Sequence, residues 1–88
     1  MYEIVLSDLA EEGLDKLPKH IAKDILKKIY WLAENVEVIR HDRLNGHREY
    51  SLHCGQYRIP YSLDRANKVV YIEDIDKHDE AYRRLKGR

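Results

Sequence analysis

The stretch that decides the fold is 49–64, EYSLHCGQYRIPYSLD. Before Gly55, Tyr50, Leu52 and Cys54 alternate with Ser51 and His53. After it, Tyr57, Ile59, Tyr61 and Leu63 alternate with Gln56, Arg58 and Ser62. A period of two sends successive side chains to opposite faces, so each run predicts a half-buried strand. Gly55 supplies the turn between them, which makes the pair an antiparallel hairpin. The inner face takes the aromatic and aliphatic set, with Cys54 as a small core residue. His53 and Arg58 fall on the other face. Pro60 has no amide proton and sits mid-strand. The strand is therefore predicted to be bulged there, or to leave that N–H side unpaired.

Working outward, Asp64-Arg65-Ala66-Asn67 turns the chain into a further strand from Lys68 to Ile75. The tail from Asp79 reads as a short helix ending in the basic cluster Arg83, Arg84, Lys86 and Arg88. On the other side, 36–48 is less regular, with a turn signal at Asn45-Gly46. Ile21, Ala22, Ile25, Ile29, Leu32 and Ala33 form one apolar stripe at helical spacing, with Pro18 suited to the first turn and an end near Asn35. Lys19, Lys23, Lys27 and Lys28 lie off that stripe. Leu9, Ala10, Leu14 and Leu17 predict a shorter helix, capped by Ser7 or Asp8, with Asp8 and Glu11 resembling a capping box. Gly13 weakens it by roughly 1 kcal/mol relative to Ala. Tyr2, Ile4 and Leu6 alternate with Glu3, Val5 and Ser7 as a first strand. The order β-α-α-β-β-β-α predicts an α+β fold. A mainly antiparallel four-stranded sheet packs against a helical hairpin, with a short C-terminal helix.

The 88 residues (1–88) make a single domain. The formal net charge is zero, but it is unevenly spread. Residues 1–39 carry five Lys and no Arg against eight acids, a net of −3; residues 40–88 carry eleven basic residues against eight acids, a net of +3, with four of the five His. The lone Cys54 excludes an internal disulfide. No apolar run approaches the ~20 residues of a membrane span. The acidic start MYEIVLSDLAEE lacks the basic region of a signal peptide, so a cytoplasmic protein is expected.

His41, His47 and His53 precede Cys54 without the tight ligand pairs of a zinc site, so no metal is expected. Gly-rich phosphate loops, H-E-x-x-H and G-x-S-x-G are all missing, and no cofactor is implied. What remains is Arg48, His53 and Arg58 on or beside the hairpin: phosphate donors together with a titratable group. The pattern alone also describes a solvated polar face.

Leu44, Gly46, Tyr50, Leu52, Gly55, Tyr57, Arg58 and Tyr61 resemble the signature of the RelE/ParE toxin superfamily. That signature runs Leu-x-Gly, then Tyr-x-Leu-Arg-Val-Gly-x-Tyr-Arg-aliphatic-aliphatic-Tyr, and closes on Glu-x-Tyr. Ser7, Ala10, Leu14, Leu17-Pro18 and the closing 79–84 match as well, so the resemblance covers nearly the whole chain. It implies a RelE-like fold and the toxin of a type II toxin–antitoxin system, acting as a ribosome-dependent, metal-independent mRNA endoribonuclease. In such enzymes the ribose 2′-OH attacks the adjacent phosphate and the 5′-oxygen leaves. Arg58 matches the phosphate-stabilising Arg. His78 stands where relatives place an Arg or His that stabilises charge or donates the proton. Tyr82 matches the terminal Tyr that stacks on or orients RNA. Arg48, His53 and Arg83 would be supporting RNA and phosphate contacts, and Glu49 is one candidate for the base. The implied partners are a cognate antitoxin, the ribosome and mRNA, with operator DNA bound only through the antitoxin complex. Asp76-Lys77-His78 replaces the usual Gly-His-Arg, His53 replaces an Arg, and Pro60 replaces an aliphatic residue. The alternative that the resemblance admits is a ParE-like toxin that inhibits DNA gyrase by binding, or a decayed member that only binds its antitoxin.

Overall fold

The alternation at 49–64 produces the expected hairpin. In the computed structural model, which describes residues 1–43 and 46–77, β3 (Tyr50–Cys54) pairs antiparallel with β4 (Tyr57–Asp64), and Leu52 faces Ile59. Gly55 has φ +59 as the first of the two turn residues, the position at which a type II′ turn demands a left-handed residue. The remaining elements are β1 (Glu3–Leu6), α1 (Asp8–Asp15), α2 (Lys19–Asn35), β2 (Asp42–Arg43), β5 (Val69–Ile72) and β6 (Asp76–Lys77). The sheet order is β1-β5-β4-β3-β2, with β6 also on β4. β1 runs parallel to β5, and every other pairing is antiparallel.

The sheet has six strands among the described residues, not four. The irregular segment 36–48 contributes β2, a two-residue edge strand on β3. The predicted strand 68–75 stops at Ile72 as β5, and pairing with β4 resumes only beyond it, in β6; the cause is Pro60. Its carbonyl accepts the Glu73 N–H at 2.9 Å, so its nitrogen faces that same neighbour and has no proton to give. Tyr61 pairs with Ile72 and Arg58 with Asp76. Two residues of β4, Ile59 and Pro60, therefore oppose three, Glu73, Asp74 and Ile75. The bulge falls on the strand opposite the proline. The predicted C-terminal helix lies outside the described residues.

α2 follows its stripe. Ile25, Ile29, Leu32 and Ala33 are buried against Leu52, Ile59, Tyr61, Val70 and Ile72 of the sheet. Each fully buried large aliphatic or aromatic side chain contributes about 1.5–3 kcal/mol. Pro18 stands one position earlier than predicted, at the N-cap, where its carbonyl accepts the Ile21 and Ala22 amides. Ser7 caps α1, not Asp8: its Oγ accepts the Ala10 N–H at 3.0 Å and donates to the Glu73 carbonyl at 2.7 Å. One hydroxyl thus ties the start of α1 to the bulge. Gly13 completes that junction, because a Cβ there would sit 2.2 Å from the Ile75 carbonyl oxygen. The glycine that weakens α1 locally is what lets the bulge pack beneath it.

The chain leaving α2 is fixed by His41. The Val36 carbonyl can only accept, so His41 Nε2 carries the proton and bonds it at 2.9 Å; Nδ1 then accepts the Tyr61 hydroxyl at 2.5 Å. Tyr50 and Tyr61 pack around this ring. Burial pushes the Tyr61 hydroxyl well above the usual phenol range, so it stays protonated and donating.

Candidate functional site

The helices cover one face of the sheet, and the polar residues of the hairpin lie on the other. Strand parity sends Ser51 and His53 of β3 and Arg58, Pro60 and Ser62 of β4 to it. His53 and Arg58 are cross-strand partners, as the alternation predicts. His53 is exposed, whereas the Arg58 side chain lies partly buried along the sheet. Its Nη1 donates to Ser51 Oγ at 2.7 Å, and its Nε is buried with no hydrogen-bond partner among the described residues. Burial also lowers the Arg58 pKa from its ordinary value, because the cation is partly removed from water. The group still carries its charge at neutral pH. A partly desolvated, under-bonded guanidinium gains from an oxyanion that supplies both missing charge and missing acceptor. On its other side Arg58 pairs with Asp76 of β6. The row across three strands therefore reads His53, Arg58, Asp76.

A second basic region lies at the start of the hairpin. β3 begins opposite Tyr61, which leaves the Ser62–Asp64 end of β4 uncovered on that side. An open groove of about 580 Å³ forms there, flanked by Arg43, Arg48 and Arg65 and by Glu49 and Glu73. Arg43 stacks 4.9 Å over the Tyr50 ring and donates to the Arg48 carbonyl at 3.3 Å. Arg65 pairs with Glu37 at 3.8 Å, and Ser62 donates to Glu73 at 3.1 Å.

The structure therefore brings Arg58 and His53 together and places Arg48, with Glu49, in the groove at the other end of the hairpin. His78, Tyr82 and Arg83 lie outside the described residues. His41 and His53 fall on opposite sides of the sheet, His41 against Tyr61 on the helix side. Four residues escaped the reading of the sequence. Ser51 shares the parity of His53, so alternation already carried its signal. Arg43 and Arg65 lie in a short edge strand and a turn, where no periodicity points to a face. Asp76 was missed because the bulge shifts its phase by one residue.

Over residues 4–82 the chain matches the family described as ParE toxin of type II toxin–antitoxin system, parDE. No curated protein matches the chain. Among solved structures, a double mutant of the E. coli RelE toxin in the free state superposes with a TM-score of 0.79 at 21% identity, covering 99% of this chain and 96% of that one. The RelBE2 toxin–antitoxin complex from Mycobacterium tuberculosis gives 0.73 at 23% identity, covering 88% and 98%. The archaeal RelE–RelB complex from Pyrococcus horikoshii gives 0.68 at 23%, covering 86% and 93%. These likenesses establish the RelE fold. The family match spans nearly the whole chain, and the protein belongs to the ParE toxin family of the RelE/ParE superfamily, as the toxin of a type II toxin–antitoxin system.

Proposed function

We propose that this toxin is a ribosome-dependent, metal-independent mRNA endoribonuclease that inhibits translation. The observation that carries the reading is Arg58, a half-buried guanidinium held by Ser51 on the sheet face opposite the helices, with its Nε unmatched among the described residues. In-line attack of a ribose 2′-OH on the adjacent phosphate puts extra negative charge on the non-bridging oxygens, and a preorganised cation stabilises it. In this reading Arg58 binds that phosphate. His78 stabilises charge or donates a proton, and Tyr82 stacks on a base. Arg48, His53 and Arg83 hold neighbouring phosphates. The ribosome supplies the threaded mRNA, which places the reaction in the cytoplasm.

The cognate antitoxin is the second expected partner, as RelB is for RelE in the superposed complexes. It would cover the basic face and carry the pair to operator DNA. Induction of the toxin alone is expected to arrest growth, with mRNAs cut inside codons, and co-expression of the antitoxin to relieve it. Arg58→Ala is expected to abolish both cutting and arrest. Full toxicity in that variant contradicts the assigned role.

A second reading is favoured by the family match itself, whose description is that of ParE. It is a toxin that inhibits DNA gyrase by binding, without proton transfer. Supercoiling blocked in vitro, with mRNA left intact in arrested cells, selects it.

A further inference from the structure

Cleavage by an adjacent 2′-OH is an in-line displacement, so the attacking and leaving oxygens stand on opposite sides of phosphorus. Proton transfer then calls for a base on one flank, an acid on the other and a cation between them. The face opposite the helices carries that order across three strands. Arg58 stands at the centre on β4. His53 is its partner on β3, and Asp76 is its partner on β6. Cross-strand partners share a face, and neighbouring Cα atoms in antiparallel pairs lie about 4.5–5.5 Å apart, so His53 and Asp76 stand about 10 Å apart with Arg58 between them.

Asp76 reaches this face only through the bulge. A regular ladder from the Tyr61–Ile72 pair would bring residue 75 opposite Arg58; the extra residue brings 76 instead. Ile75 is accordingly buried in the core. The Asp76 carboxylate is fixed by accepting the Lys77 N–H at 2.7 Å.

Resting on the nuclease reading above, we propose that Asp76 is the general base and His53 the general acid, the two acting on a phosphate held at Arg58. Asp76 takes the proton of the 2′-OH as the 2′-oxygen–phosphorus bond forms. The phosphorus–5′-oxygen bond breaks, and the 5′-oxygen takes a proton from the His53 imidazolium. The products are a 2′,3′-cyclic phosphate and a 5′-hydroxyl. Asp76 is left protonated and His53 neutral, and both reset through water. His78 is then left to stabilise charge.

Several charged groups among the described residues lie near these two. Arg58 faces both from β4. Glu12 and Lys16 of α1 line a small groove with Asp76. Asp42, bridged by Arg40 at 3.5 Å, pairs with Ser51, two residues along β3 from His53.

The test is single-turnover cleavage of ribosome-bound mRNA by the full chain, followed against pH. D76N keeps the acceptor for the Lys77 N–H but cannot take a proton. It is expected to slow cleavage about 10²–10³-fold and to lose the acid limb of the profile, with unchanged thermal unfolding. H53Q is expected to lose the alkaline limb. A substrate whose 5′-bridging oxygen is sulfur leaves without a proton, so it should restore H53Q and not D76N. Rates for both variants within threefold of wild type, or equal rescue of both, overturn the assignment while leaving the nuclease reading intact. Wild-type protein that leaves the mRNA uncut overturns both.

Discussion

Gly13→Ala opposes local propensity to tertiary packing within one residue. In an isolated helix the change stabilises by about 1 kcal/mol, since glycine gives up the most conformational freedom on folding. Here the added Cβ would lie 2.2 Å from the Ile75 carbonyl oxygen, against an ordinary contact above 3.4 Å. More than an ångström must be recovered, and the obstacle is backbone. That backbone belongs to the bulge, which Ser7 clamps through the Glu73 carbonyl and its own N–H on the Ile72 carbonyl. No flexible side chain can give way. Overpacking costs typically about 1–3 kcal/mol, and a clash against fixed backbone belongs at the top of that range. The net expectation is a loss of about 2 kcal/mol. For a domain of this size each kcal/mol shifts the midpoint by roughly 4–8 °C, so Tm should fall by roughly 8–16 °C. Thermal unfolding followed by far-ultraviolet circular dichroism measures it, and urea unfolding gives the free energy. A variant as stable as the wild type, or more stable, would refute the packing of α1 on the bulge and with it the phase that sets Asp76 beside Arg58.

Three further outcomes follow from single contacts. Tyr61→Phe leaves the His41 Nδ1 acceptor without its donor in a part-buried site, and should cost about 1–3 kcal/mol in urea unfolding. Ser7→Ala removes the α1 cap and the bond to the Glu73 carbonyl together, so its loss should exceed the ~1 kcal/mol of a cap alone. Asp64 is held below its ordinary 3.8 by the Asn67 side-chain and backbone N–H groups, so its contribution is present above that value and fades as pH falls through the lower folded pKa. Asn67→Ala should move its titration, followed by carboxyl carbon shifts, upward toward 3.8.

Much of this architecture was legible because period-two and period-3.6 patterns are local. The hairpin at 49–64, the α2 stripe and the shared outer face of His53 and Arg58 all came from alternation. The bulge did not, although Pro60 announced some irregularity. A missing donor says that a ladder must break but not which strand takes the extra residue. That choice was made by Ser7 and Gly13, sixty or more residues away in the chain, and it decided that Asp76 joins the face of Arg58. Likewise Arg43, Arg48 and Arg65 meet in one groove only because β3 starts late against β4. No spacing in the sequence encodes that register.

The most direct test of the central claim is the chemistry of the cut ends. Ribosomes carrying a defined mRNA, incubated with the purified toxin in the presence of a chelator, should yield fragments broken within the A-site codon. They should bear a 2′,3′-cyclic phosphate on one side and a 5′-hydroxyl on the other, and Arg58→Ala should produce none. Intact mRNA under conditions where the same preparation arrests growth, or blocks gyrase, would contradict the account.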